Sequence, residues 1–149
     1  MSGLEVEMNG LNDDLVLKFE NKEYRHAYAD DFLNSFIAAQ LKALRDQRGW
    51  TQTELAGLSG MKQSRISAME NVNYSGWSVR TLARLAEAFD VALVVEFRSF
   101  GERLKDFSSF NPVNLRVPTF DEDPVVQRSI VPPKGPRRVR GSAAHSEVD

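Results

Sequence analysis

Thr51-Gln-Thr-Glu-Leu-Ala56, followed by Gly60-Met-Lys-Gln-Ser-Arg-Ile-Ser67, is the stretch on which the fold turns. Thr51 and Glu54 stand at the spacing of a capping box: the Thr51 hydroxyl accepts from the Glu54 amide, and the Glu54 carboxylate accepts from the Thr51 amide. Trp50 and Leu55 are placed for a hydrophobic staple across that start. A short helix is therefore expected from Gln52 to about Leu58. Ser59-Gly60-Met61 makes a tight turn, with Gly60 in the backbone conformation that side chains disfavour. A second short helix follows from Gln63 to about Glu70. Leu55, Met61, Ile66 and Met69 supply an apolar wedge between the two helices, and Ala56 is small where they approach.

Helices flank this pair on both sides. Phe32, Leu33, Phe36, Ile37, Leu41 and Leu44 recur at spacings of one, three and four, which predicts an amphipathic helix from Asp30 to about Arg48, stopped by Gly49. Further upstream, Asp13 to Glu20 fits a short helix or strand, and Asn21 to Tyr28 a helical turn or two. Downstream, a loop rich in Asn, Ser and Gly runs from Asn71 to Trp77. Ser78 then caps a further helix whose inward face is Val79, Leu82, Leu85, Ala86 and Phe89. Two short helices joined by a tight turn within such a helical domain make a helix-turn-helix. Its second helix presents an outward arc of Gln63, Ser64, Ser67, Ala68 and Asn71, which is polar and small rather than apolar.

After Asp90 the period changes from 3.6 to 2. Val91, Leu93, Val95 and Phe97 alternate with Ala92, Val94, Glu96 and Arg98, the pattern of a strand with one apolar face. Phe100, Leu104 and Phe107 return to helical spacing. The expected architecture is thus mainly α: a helix-turn-helix domain of four to five helices, then one strand and a short helix. The segments are an acidic N-terminal extension (1–29), the helix-turn-helix domain (30–90), a strand plus amphipathic helix (91–120) and a disordered tail (121–149). Pro, charge and small residues mark the tail most strongly from Pro132 to Asp149.

Composition narrows the chemistry. The 149 residues carry 19 Lys and Arg against 21 Asp and Glu, a formal charge of −2, which excludes a wholesale polycation. Residues 1–36 hold eight acids and three bases, whereas residues 42–84 hold seven bases and three acids, so the basic part coincides with the helix-turn-helix. There is no Cys, and His26 and His145 lie far apart, so neither a thiolate nucleophile nor a zinc-ligand spacing is available. No metal or cofactor is expected. No paired carboxylates at a recognisable spacing, glycine-rich phosphate loop or nucleophile and base pair is visible, which argues against an enzyme. The longest apolar run, Val91 to Val95, is far short of a membrane span. A cytoplasmic protein without membrane contact is the expectation.

From about Phe36 to Val95 the chain resembles the Cro and phage-repressor-like helix-turn-helix regulators, also called the xenobiotic-response-element family. The resemblance rests on Thr51-Gln-Thr-Glu-Leu-Ala56, Gly60-Met-Lys-Gln-Ser-Arg-Ile-Ser67, Glu70-Asn71 and Ser78-Val-Arg-Thr-Leu-Ala-Arg-Leu-Ala86. It implies a lambda-repressor-like domain whose second motif helix lies in the major groove of double-stranded DNA. Carried over, Gln63 and Ser64 lead the base contacts, with Ser67 and Ala68 deeper in the groove, and Gln52 touches a phosphate. The chemistry agrees: a Gln amide pairs bidentately with adenine, Ser serves either partner, and an Ala methyl meets the thymine methyl. Lys62, Arg65, Asn71 and Arg48 are the further phosphate contacts expected, with Arg45, Arg80 and Arg84 as additional candidates. The chain departs from the family in having Val72 where many members have Gly, so that Asn71 or Asn73 is expected to take the left-handed conformation, and Lys62 where a Ser cap is common. Trp50, Trp77, Tyr24 and Tyr28 read as packing residues.

One strand alone is not stable in water, so the strand needs residues 13–20 of its own chain or the same strand of a second subunit. The second is favoured, because a dimer sets two recognition helices one helical turn apart on a pseudo-palindrome. Leu93, Val95, Phe97, Phe100, Leu104 and Phe107 are then the dimerisation residues. Two functions fit this frame: a dimeric repressor reading a palindromic operator, and an antitoxin that binds a toxin protein and autoregulates its operon.

Overall fold

A 27-residue helix is the spine of the molecule. The structure, a computed structural model, describes residues 13–130. Helix α1 covers residues 13–19, and α2 runs from Lys22 to Arg48, about 40 Å at 1.5 Å per residue. Asn21 caps α2, its side chain accepting from the Tyr24 amide, and Gly49 ends it at φ 70°. The two helical segments expected over 21–48 are therefore one. The boundary expected at residue 30 falls inside α2, since no residue between Tyr28 and Asp31 breaks a helix.

The helix-turn-helix follows the sequence closely. Helix α3 (Gln52–Ser59) starts with the capping box of Thr51 and Glu54, both hydrogen bonds formed at 3.0 and 3.1 Å. Gly60 closes it at φ 66°. Helix α4 (Gln63–Met69) and helix α5 (Val79–Phe89), capped by Ser78, complete the domain. Leu41, Leu44, Leu55, Ala56, Ile66, Met69, Leu85 and Phe89 form its core, with Trp50, Met61 and Trp77 packed against it. Trp50 stacks on Phe89 at 5.7 Å between ring centroids. Two expectations are corrected here. Val79 is exposed and Thr81 is buried in its place, because the Thr81 hydroxyl accepts from Arg65 and from Ser78. Neither Asn71 nor Asn73 is left-handed; the loop turns instead on the Asn71 side chain, which accepts from the Asn73 amide at 2.9 Å. Asp90 at the end of α5 has φ 55°, the one non-glycine residue with positive φ among the described residues.

The expected strand is also corrected. Among the described residues no strand forms, and residues 91–99 carry no regular secondary structure. The same-chain candidate partner is helical over 13–19, so it has no strand edge to offer. No amide of residues 92–98 donates to a backbone carbonyl among the described residues.

Helix α6 (Phe100–Ser108), with its own capping box from Ser99 and Glu102, returns to the N-terminal half of α2. There Phe19, buried, meets Tyr28, Phe100 and Phe107 edge-on at 5.2 to 6.0 Å, and Phe107 meets Phe32 at 4.8 Å. α2 thus carries two apolar clusters, the helix-turn-helix core on its C-terminal half and an aromatic one on its N-terminal half. A short 3-10 turn (Pro112–Leu115) then lies along α2, with Leu115 buried and its carbonyl accepting from Gln40 at 3.2 Å. Helix α7 (Pro124–Ile130) lies where a disordered tail was expected, started by Pro124 and by the Asp123 carboxylate, which accepts from the Val125 amide at 2.8 Å. The rest of that expected tail, 131–149, and residues 1–12 of the N-terminal extension lie outside the described residues.

Candidate nucleic-acid interface

The rotation of α4 is set by Ile66 and Met69, both fully buried against α3 and α5. With those two residues inward, Gln63, Ser64, Arg65, Ser67 and Ala68 are all exposed, so the arc read from the sequence is a continuous surface. Lys62, exposed and extended, precedes the helix and makes no side-chain capping bond.

A polar chain ties this surface to the spine. Arg45 on α2 donates through Nη2 to Glu70 Oε2 at 3.1 Å and through Nε to Glu70 Oε1, and its Nη1 donates to the Trp50 carbonyl at 2.8 Å. Both side chains are largely buried, 14% exposed for Arg45 and 7% for Glu70. The hydrogen bond to Glu70 holds the Arg45 guanidinium above its ordinary pKa range against the opposing effect of burial. Glu70 Oε2 also accepts from Gln52 Nε2 at 2.8 Å, and Gln52 Oε1 accepts from Gln63 Nε2 at 2.8 Å. Glu70 is the member that sequence reasoning left without a role. Its partners lie 25 and 18 residues away in sequence, so no local spacing signals them.

The arginines divide by place. Arg48 donates to the carbonyls of Val117, at 2.7 Å, and Phe89, at 2.9 Å, and lies over the Phe89 ring. Arg45 and Arg48 are therefore fasteners of the fold, and the expected phosphate role of Arg48 is withdrawn because its terminal nitrogens already serve internal carbonyls. Arg65 donates to Thr81 at 3.0 Å and stays exposed beside the arc. Asn71 is exposed at the end of α4, its side chain engaged in the loop. Arg80 is exposed near the start of α5.

The residues expected at a dimer interface also divide. Leu93, Val95 and Phe97 are exposed, Phe97 completely. Phe100, Leu104 and Phe107 face their own chain instead, in or beside the aromatic cluster. Beside Leu93 an open apolar groove of about 350 Å³ runs between α2 and α5, lined by Phe36, Ile37, Leu82 and Leu85 among others. Among the described residues no group of three or more His, Asp or Glu is arranged as a metal site, and no helix is long and apolar enough to cross a membrane.

Comparison with known proteins bears on the same segment. Residues 41–95 match the family model described as Helix-turn-helix. The chain is 36% identical over 59 residues to Antitoxin HipB of Escherichia coli O6:H1, a match covering 40% of this chain and 62% of that protein. It is 40% identical over 57 residues to the competence pilus inhibition repressor of Acinetobacter baylyi, covering 38% of this chain and 51% of the repressor. A putative helix-turn-helix transcriptional regulatory protein of Pyrococcus horikoshii is 39% identical over 67 residues, covering 45% of this chain and 21% of that protein. In each case the chain spans less than two thirds of the relative's length. No solved structure gives a significant match. These relatives are named as an antitoxin and as transcriptional regulators. By its motif, the geometry of α3 and α4 and these matches, the segment 41–95 is a helix-turn-helix domain similar to that of the Cro/C1-type regulators.

Proposed function

We propose that the protein is a sequence-specific transcriptional repressor that binds a palindromic operator as a dimer. The observation that carries this reading is the exposed, small and polar face of α4, with Gln63 already held by Gln52. Gln63, Ser64, Ser67 and Ala68 read base edges; Gln52, Lys62, Arg65 and Asn71 contact phosphates. A second copy docks on the exposed segment around Leu93, Val95 and Phe97 and on the groove beside it, since an apolar stretch this exposed is the mark of an association surface. Selection of bound duplexes from a randomised library tests the reading. A motif with two-fold symmetry and half-sites one helical turn apart is expected, and enrichment of no motif overturns it.

The relatives named Antitoxin HipB favour a second reading, in which this protein also neutralises a toxin and represses its own operon. The aromatic module of α1, α6 and the N-terminal half of α2 is more structure than DNA binding requires and offers exposed Leu17 and Leu33 to such a partner. A neighbouring gene whose product is toxic alone and co-purifies with this chain supports that reading; a product that does not co-purify removes it.

A further inference from the structure

The chain of hydrogen bonds from Arg45 to Gln63 has a direction, and Glu70 sets it. A carboxylate paired with a guanidinium only accepts hydrogen bonds. The group that Gln52 turns toward Glu70 must therefore be its Nε2, which lies 2.8 Å from Glu70 Oε2. That leaves Gln52 Oε1 facing Gln63, so Gln63 in turn must present its Nε2, again at 2.8 Å. Turning the Gln63 amide over would set two acceptor oxygens at hydrogen-bond distance with no proton between them. Turning Gln52 as well would only move the same conflict to Glu70. One hydrogen of Gln63 Nε2 serves Gln52, and its second hydrogen and Oε1 remain for a base edge.

We infer that Glu70 is a positioning residue for sequence readout: through Gln52 it fixes which way the Gln63 amide faces in the major groove. The inference rests on the DNA-reading role proposed for Gln63. An amide of fixed direction presents donor and acceptor in one order, which matches the acceptor N7 and donor N6 of adenine; guanine presents two acceptors there. An amide free to turn over matches less selectively. In Glu70→Gln the residue at position 70 itself offers both a donor and an acceptor, so either orientation of Gln52 is satisfied and the direction is lost.

The test is selection from a randomised duplex library with the full chain and with three variants, scored base pair by base pair. Gln63→Ala identifies the base pair that Gln63 reads. At that base pair Glu70→Gln is expected to lose about tenfold in preference, with preferences at the other positions kept. Gln52→Leu, which cuts the relay but keeps the Arg45–Glu70 pair, is expected to do the same, and it decides the matter alone if Glu70→Gln does not fold. Retention of the preference in the folded variants overturns the inference, as does an even loss at every position, which is the signature of a merely structural Glu70. A wild-type chain that enriches no motif, or a Gln63→Ala that changes no position, overturns the readout role itself; an unchanged preference at the Gln63 base pair in Glu70→Gln overturns only the relay.

Discussion

Arg84 on α5 donates through Nη2 to the carbonyl of Gly60 at 2.7 Å and to that of Ser59 at 3.0 Å. The turn between the two motif helices is thereby held from outside the motif, by a charged donor aimed at the carbonyls that end α3. Gly60 is left-handed at φ 66°, and a Cβ there would lie 2.9 Å from the same Arg84 nitrogen. One contact therefore couples the hand of the turn to the packing of α5.

Arg84→Met should lower the unfolding free energy by about 1 to 2 kcal/mol, since charged hydrogen bonds contribute roughly 1.5 to 3 and this one is partly solvated. Gly60→Ala should cost about 1 to 3 kcal/mol from strain at positive φ. Urea unfolding measures both. The salt dependence of DNA binding separates this role from a phosphate contact: it stays unchanged in Arg84→Met, whereas loss of a phosphate contact would flatten its slope by about one.

Glu70→Ala leaves the Arg45 guanidinium buried without its counter-charge, and the expected loss is about 3 to 5 kcal/mol. Arg45 is raised above the guanidinium range, first by its hydrogen bond to Glu70. A raised folded pKa stabilises fully below the unfolded value and fades only as pH climbs through the folded one. That window lies far above neutrality, so Arg45 adds no slope to stability around neutral pH. A pH series of thermal melts on the double variant Arg45→Met/Glu70→Leu, which leaves neither charge buried without its partner, and on the parent should give parallel curves there.

Phe19→Ala removes the ring at the centre of the N-terminal aromatic cluster. Core Phe→Ala changes cost roughly 3 to 5 kcal/mol, and the lower part of that range is expected at this small cluster. Because the helix-turn-helix core sits on the other half of α2, hydrogen exchange should quicken in α1 and α6 before it does in α3 to α5. Uniform loss of protection throughout would show that the two clusters unfold as one.

Phe97 is fully exposed in the single chain, so Phe97→Ser should leave monomer stability within about 0.5 kcal/mol. Its effect belongs to association: sedimentation should show the variant dissociating at concentrations where the parent is a dimer. An unchanged dimer would exclude this segment as the association surface.

Lys62→Ala should weaken binding to all duplexes alike and reduce the slope of log affinity against log salt by about one. Gln63→Ala should instead cost about 1 to 3 kcal/mol on the selected operator and little on unrelated DNA. Titrations of both variants at several salt concentrations check the two together.

Much of the helix-turn-helix was legible because its signals are local. Thr51 with Glu54, Gly49, Gly60 and Ser78 mark helix ends within a few residues of chain, and the 3.6 period marks Ile66 and Met69 as inward and so Gln63 and Ser64 as outward. The helical repeat thus determined from sequence alone which side chains the motif exposes. What tertiary structure decided was the use of charge and of apolar side chains between segments. Arg45, Arg48 and Arg84 look alike as surface bases in a helix pattern, yet each turns to carbonyls or a carboxylate brought close only by folding, from 5 to 69 residues away. Alternation marked 91–98 as extended but could not provide the ladder that makes a strand, because hydrogen-bond partners are not encoded in a segment's own period. Phe100 and Phe107 show the same limit: their spacing announced an amphipathic face, and only the course of α2 decided that Phe19, Tyr28 and Phe32 would cover it.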